Sequence, residues 1–145
     1  MASIRKEVLL DAPIDAVWAA LRDVGALHTR LVPGFVTDCR MEGDARVVTF
    51  ANGMVARELI VDVSDDEHRV VWSSVGGKLT HHNASAQVFA EGSGQSRLVW
   101  IADLLPNEFA GVIATMIDHG LAAMKRAFAN STLGSADATY CLFIQ

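Results

Sequence analysis

The chain has 145 residues with a formal net charge of −5, and 51% of its residues are hydrophobic. This length is typical of one domain, and the acidic balance without a cluster of Lys and Arg argues against a nucleic-acid partner. No apolar run reaches the roughly 20 residues of a membrane-spanning helix, and the first residues lack the apolar core of a signal peptide. We therefore expect no membrane insertion and a cytoplasmic location, which the two widely spaced cysteines also favour.

Up to residue 104, the sequence predicts strands and short helices. A strand over 4–10 is followed by a short helix that begins near Pro13 and by a second short helix over 24–29. Asn52-Gly53 is the strongest hairpin signal, because both residues tolerate positive φ. Period-two patterns and turn residues predict six further strands, over 35–41, 45–51, 54–63, 69–74, 81–90 and 95–104.

A long amphipathic helix over 106–130 follows the last strand. Its apolar residues recur at steps of three and four, at Phe109, Ile113, Ile117, Gly120, Met124 and Phe128. A rod of ~36 Å needs a large apolar partner. The sequence therefore predicts an α+β fold in which a curved antiparallel sheet wraps around one helix. Small and polar residues then predict a flexible tail over 131–145, after a single domain over 1–130.

Several motifs of the chain resemble those of a known superfamily. They are Leu10-Asp11-Ala12-Pro13 with Trp18, Pro33-Gly34, Arg57-Glu58-Leu59, Arg69-Val70-Val71-Trp72-Ser73, Gly76-Gly77, Leu98-Val99-Trp100 and Pro106. Together they resemble the helix-grip fold of the START-like superfamily, which includes polyketide cyclases, the birch-pollen allergen family and the plant abscisic-acid receptors. The sequences of residues 82–85 and 103–108 are similar to those of the bacterial branch described as polyketide cyclase/dehydrase-like.

The resemblance implies a cavity between the sheet and the long helix that takes a hydrophobic small molecule. Alternation alone does not decide which face of the last two strands lines it, because both faces are apolar. The resemblance favours an inward orientation of Trp72, Asn83, Ser85 and Val99. Ile101 and Asp103 lie on the same face of the last strand as Val99. The rest of the expected wall consists of Glu58, Ile113, Ile117, Gly120 and Met124. The opposite faces, including Trp100, would then meet a second subunit in a homodimer.

Three ionisable residues are candidates for acid–base chemistry. If Glu58 is buried, it can act as a general base or bind a hydroxyl group of a ligand. Otherwise it is a carboxylate at the rim, paired with Arg57 or Arg69. Asp103 either faces the cavity or accepts hydrogen bonds from free N–H groups at the start of the helix. An inward histidine, for which we name His81, is the third candidate.

The adjacent pair His81-His82 does not predict a metal site. Neighbouring strand residues point to opposite faces, so the two rings cannot bind one ion from the same side. A metal site normally needs three or four protein ligands, and none is expected here, nor is any cofactor.

Two hairpin loops are candidate gates over the cavity mouth. They comprise Asn52 and Gly53 in one loop, and Gly76, Gly77, Lys78 and Leu79 in the other. Binding loops come from the least stable parts of a fold, although ordinary hairpin turns explain the same residues.

Three functions remain open from the sequence. The first is non-catalytic binding of a hydrophobic small molecule, favoured by the high apolar content. The second is a cyclase or dehydratase in which Glu58, Asp103 or an inward histidine moves protons. The third is a protein-interaction module that uses the alanine-rich outer face of the sheet.

Overall fold

The computed structural model describes residues 1–129 with their side chains and, over 130–144, the course of the backbone alone. Over this described part of the chain, seven strands, two α-helices and two short helical turns follow one another. They are β1 Ala2–Leu10, α1 Ile14–Arg22, a π-helical turn Leu27–Leu31, β2 Val36–Glu42, β3 Ala45–Phe50, β4 Val55–Ser64, β5 Arg69–Val75, β6 His81–Ala90, β7 Ser96–Leu105, a 3-10 turn Asn107–Phe109 and α2 Ala110–Ile144. This order confirms the predicted α+β class and helix-grip architecture.

All seven strands form one antiparallel sheet in the order β1-β7-β6-β5-β4-β3-β2. The register shifts between Val36 and Asp38 on β2 and between Ile60 and Asp62 on β4. Such bulges increase the local bend and twist of a strand. The curved sheet wraps around α2 and so supplies the large apolar partner that a helix of this length needs.

The buried face of α2 follows the predicted helical spacing. Ile117, Leu121, Met124 and Phe128 are all buried against the core. Gly120 lies between them, and a Cβ atom there would stand 2.8 Å from Cζ3 of Trp100. A glycine at this position therefore lets the indole ring of Trp100 lie directly against the helix backbone.

A fully buried part of the core lies where β1 ends, α1 begins and the described part of α2 finishes. Its fully buried side chains include Leu10, Val17 and Leu98, and Phe128 joins the same cluster. At roughly 25 cal/mol per Å² of apolar area removed from water, a cluster of this kind is the main stabilising element of the fold.

Residues 131–145, predicted as a flexible tail, fall in the part of the chain for which side chains are not described, so the tail stays a prediction. The helix α2 itself runs beyond the expected end near residue 130, to Ile144. Within the described residues, no helix combines the length and the apolar character needed to cross a lipid bilayer.

Candidate functional site

A space of about 720 Å³ lies between the sheet and the first half of α2. Most of the side chains around it are apolar. They include Leu31, Val32, Phe35, Val48, Phe50, Trp72, Trp100, Phe109, Ile113, Met116, Ile117 and Met124. A few polar groups converge on the same space, and Arg46, Glu58, Ser74 and His82 are the ones set into the sheet.

The strand register shows which face of the sheet lines this space. Trp72 pairs with Ala84, and Ala84 pairs with Ala102, so the three side chains point to the same side. Along β6 and β7 the same face carries His82, Ala86 and Trp100, and all three line the space. The inward orientation expected for Trp72 is therefore correct.

The expected inward orientation of the other wall residues on β6 and β7 is wrong. Asn83 pairs with Asp103, and Ser85 pairs with Ile101, on the face opposite to Trp72. Val99 lies on that outer face too, because it pairs with Gln87. The outward orientation expected for Trp100 is wrong for the same reason, since its ring packs at 5.7 Å from that of Trp72.

Burial on both faces explains the error. Ser85 and Val99 are 8% and 7% exposed although they lie on the outer face, and Ala84 and Ala86 are 1% exposed on the inner one. Small side chains on a sheet are covered by their larger neighbours even where no second layer packs on them. Apolar and small residues therefore alternate with one another, and the period-two pattern carries no information about the face.

Glu58 is an inward residue, and its partner is not one of those expected. Its Oε1 accepts a hydrogen bond of 2.8 Å from Nε of Arg46 on the neighbouring strand β3, whereas we expected Arg57 or Arg69. Both side chains are buried, with Arg46 4% and Glu58 8% exposed. A charge so deeply buried is tolerated only when it is paired and hydrogen-bonded.

The Arg46 guanidinium has two further contacts. Its NH1 group donates to the backbone oxygen of Val24 at 3.2 Å, and the guanidinium lies 5.3 Å from the centroid of the Trp72 ring. These contacts fix the guanidinium in place, and through it they fix the carboxylate of Glu58 in the cavity wall.

The inward histidine is His82, not His81. His82 lies on the face of Ala84 and Ala86 and is buried, while His81 is exposed on the alternate side. Nδ1 of His82 accepts a hydrogen bond of 2.9 Å from the backbone N–H of Ser74. Burial lowers the pKa of His82, and the neighbouring His81 acts in the same direction. The ring is therefore neutral near pH 7 and carries its proton on Nε2.

Of the three acid–base candidates, only Glu58 lies in the wall of the space. Asp103 is on the outer face, and His81 is exposed. Among the described residues, no three His, Cys, Asp or Glu side chains come together in a way that could hold a metal ion.

The helix residues of the predicted wall occupy the expected positions. Ile113, Ile117 and Met124 line the space, whereas Gly120 lies behind Trp100 and shapes the wall through that ring. Gly76, Gly77, Lys78 and Leu79 line the mouth. Asn52 and Gly53 do not line the space, although the next two residues along the chain, Met54 and Val55, do. The role of either loop as a gate stays a prediction.

Sequence reasoning missed Arg46 and His82. Arginine is rarely buried, so nothing singled out Arg46 among the charged residues of the sheet. Trp72 carried a signal: once its ring is placed inward, its partner Ala84 and the next residue across the sheet, Ala102, must face inward too. Using it requires the strand register, which the sequence alone does not supply.

A curved antiparallel sheet around a long helix, with a lined space between them, defines the START-like class of helix-grip proteins. The chain belongs to the family described as polyketide cyclase / dehydrase and lipid transport, whose model matches residues 1–130. No functionally curated protein matches the sequence.

Solved structures share the fold at low sequence identity. An uncharacterized protein from Bacillus thuringiensis is 18% identical, covering 88% of this chain and 99% of that one with a TM-score of 0.79. A Thermobifida fusca protein is 24% identical, covering 90% and 93% with a TM-score of 0.72. Norcoclaurine synthase from Thalictrum flavum, in complex with dopamine and hydroxybenzaldehyde, is 21% identical, covering 92% and 87% with a TM-score of 0.68. At these identities the likeness shows the fold alone.

Proposed function

We propose that the protein binds a hydrophobic small molecule, of lipid-, polyketide- or hormone-like character, in the space between the sheet and α2. The observation that carries this proposal is the space itself, with its volume of about 720 Å³. Ligand sites in proteins typically measure about 300–1,000 Å³ and combine apolar walls with a few placed polar groups. Native cores leave few voids larger than a water molecule, so a space of this size is unusual for a packed core and supports a binding role.

The family supports a ligand-binding role, since its description includes lipid transport. The norcoclaurine synthase structure, which shares the fold, holds two small aromatic molecules. For this chain the proposal is restricted to the class of ligand, a molecule that buries apolar area against Trp72, Trp100 and the first half of α2.

Titration with N-phenylnaphthylamine, an uncharged dye that fluoresces in apolar surroundings, tests the proposal. We expect saturable fluorescence enhancement with one dye per chain. Ala86→Phe places a ring in the space and should weaken binding at least tenfold, because Ala86 lines it. Ala90→Phe is the matched control, since Ala90 is the exposed last residue of the same strand. Absence of saturable binding to the unaltered protein, or equal binding by the two variants, would sink the proposal.

The alternative function is an enzyme of the cyclase or dehydratase type, and one observation favours it. Glu58 and His82 bring a carboxylate and a neutral imidazole to the same wall. A carboxylate can remove a proton next to a carbonyl group, and an N–H donor can stabilise the negative oxygen that forms. The proton moves from carbon to Glu58, and the electron pair moves to the carbonyl oxygen.

Solvent exchange distinguishes the enzyme from a carrier. In deuterium oxide, an enzyme of this type should exchange the methyl protons of β-acetonaphthone faster than buffer does, as followed by proton NMR. Glu58→Gln should abolish the acceleration. Exchange at the buffer rate, in the presence of demonstrated binding, favours the carrier. The protein-interaction role, the homodimer and the cytoplasmic location stay predictions.

A further inference from the structure

Glu58 and His82 each carry one polar atom for which the described part of the chain supplies no hydrogen-bond partner. Oε1 of Glu58 is taken by Arg46, and within the described residues Oε2 accepts no hydrogen bond. Nδ1 of His82 is taken by the N–H of Ser74, and the ring proton on Nε2 has no acceptor in the same part of the chain. Across the described side chains, His28 Nδ1 is the one buried nitrogen or oxygen atom that lacks both a partner and solvent access. Glu58 Oε2 and His82 Nε2 are therefore not sealed off, and both residues line the space, while His82 also borders a smaller space beside Ser73 and Asn83.

The two atoms have opposite hydrogen-bonding character. A carboxylate oxygen accepts only, and the Nε2–H of a neutral imidazole whose Nδ1 is engaged donates only. Beside the Ser74 hydroxyl, which can donate or accept, the wall thus presents one fixed acceptor and one fixed donor among apolar side chains. An apolar ligand that left both atoms unpaired would bury them at a cost, so the favoured ligand is one that satisfies both.

The charge balance of the wall argues against an anionic ligand. Arg46 and Glu58 carry opposite charges and are already paired, and His82 is neutral. The other cations that line the space, Arg57 and Lys78, are both exposed at its mouth, where water screens them. A carboxylate group placed beside Glu58 would bring a second negative charge into the low-dielectric wall without a free cation to balance it.

The separation of the Glu58 and His82 backbones follows from the sheet. Glu58 on β4 lies directly opposite Ser74 on β5, and Ser74 in turn holds His82 on β6. Neighbouring strands are about 4.8 Å apart, so the backbones of Glu58 and His82 are separated by roughly 10 Å. Two polar groups on opposite sides of a small ring system match this arrangement better than two groups on one carbon atom.

We propose that the ligand is an uncharged ring compound with a hydroxyl group that donates to Glu58 and a carbonyl oxygen that accepts from His82. This inference rests on the proposed function and names the class of ligand for the same site. Fatty acids and other carboxylates are thereby disfavoured.

Four naphthalene derivatives that differ in one substituent test the two hydrogen bonds separately. Naphthalene supplies the apolar baseline, β-naphthol adds a donor, β-acetonaphthone adds an acceptor, and β-naphthoate adds a negative charge. By equilibrium dialysis at neutral pH, we expect β-naphthol and β-acetonaphthone to bind about tenfold more tightly than naphthalene, and β-naphthoate to bind more weakly than either.

Two variants assign each preference to its residue. Arg46→Met combined with Glu58→Leu removes the ion pair as a unit, because replacing a buried pair by apolar residues preserves folding better than removing one partner. It should abolish the advantage of β-naphthol and leave that of β-acetonaphthone. His82→Asn keeps an oxygen that can accept from the Ser74 N–H, since the Asn amide oxygen lies where Nδ1 does, but lacks the distal donor. His82→Asn should abolish the advantage of β-acetonaphthone and leave that of β-naphthol.

The outcomes distinguish a failure of the proposed ligand class from a failure of the proposed function. Equal affinities for all four compounds, or tightest binding of β-naphthoate, would overturn the assignment of ligand class and leave the hydrophobic site intact. Advantages that persist in both variants would overturn the assignment to Glu58 and His82. Failure of all four compounds to bind, naphthalene included, would overturn the proposed function and this inference with it.

Discussion

The two ends of the sheet–helix interface differ in how completely they are filled. The closed end, formed by Leu10, Val17, Leu98 and Phe128, has side chains that are at most 7% exposed. The open end, formed by Phe109, Val112, Ile113, Met116 and the loop over 76–79, leaves the space described above, and Val112 is 56% exposed. The same helix thus serves as a core element in its later described turns and as a cavity wall in its first turns. This division allows one end to stabilise the fold while the other stays available for a ligand.

The largest effect is expected in the wall of the open end, where Arg46 and Glu58 pair. Glu58→Leu should lower the free energy of unfolding by about 3–5 kcal/mol, because it leaves a buried guanidinium without its counter-charge. Arg46→Met in the same chain should restore most of the loss. Urea denaturation of the single and double variants measures both values, and a single variant as stable as the unaltered protein would show that the guanidinium finds water in the open end.

Truncation of equivalent apolar side chains compares the two ends directly. Leu98→Ala should cost about 2–5 kcal/mol, since Leu98 is fully buried in the closed end. Ile113→Ala, in the wall of the open end, should cost about 1 kcal/mol, because the space beside it is already unfilled. Equal losses in urea denaturation would mean that both ends are packed alike.

Gly120→Ala changes the contact between α2 and the sheet. Alanine improves helix propensity by ~1 kcal/mol, but its Cβ would stand 2.8 Å from Trp100 and 3.4 Å from Phe35. We expect a net loss of about 1–2 kcal/mol from overpacking, together with weaker dye binding, because a displaced Trp100 ring enters the space. A variant that is more stable by the full propensity gain would instead show that the ring moves aside without cost.

The smallest expected effect depends on pH and comes from His82. Because burial lowers the pKa of His82 in the fold, the unfolded chain binds a proton near the ordinary value of 6.5 while the folded chain does not. Stability should therefore be complete above pH 6.5 and fall as the pH drops below it. Asp65, whose pKa is lowered chiefly by a hydrogen bond from Arg22, affects stability only near and below its ordinary value of 3.8.

Two variants isolate this titration. His82→Asn should flatten the dependence of the unfolding free energy on pH just below 6.5. His81→Gln, which removes only the exposed neighbour, should leave most of the slope in place. A slope that survives in His82→Asn would assign the titration to another group.

The fold could be predicted because its determinants are local. The spacing of Ile113, Ile117 and Met124 specifies the buried face of α2, and Asn52-Gly53 specifies a hairpin. The wall of the open end could be predicted only in part, because it depends on register. Placing His82 rather than His81 inward requires the pairing of Trp72 with Ala84, which is a long-range property of the sheet.

The pairing of Glu58 illustrates the same limit. The charged residues nearest to it in sequence and along β5 are Arg57 and Arg69, and both were reasonable partners. The actual partner, Arg46, reaches Glu58 because β3 and β4 place the two residues directly opposite each other. Its burial follows from tertiary packing against Trp72 and Val24, which no local pattern predicts.

The central claim is that a hydrophobic ligand enters the open end of the sheet–helix interface. Intermolecular NOEs between N-phenylnaphthylamine and the methyl groups of the protein test it most directly. The account predicts NOEs to Ile113 and Met116 in the open end, and none to Leu98 in the closed end. NOEs confined to the exposed outer methyl groups of Leu59 and Val61, or none at all, would contradict it.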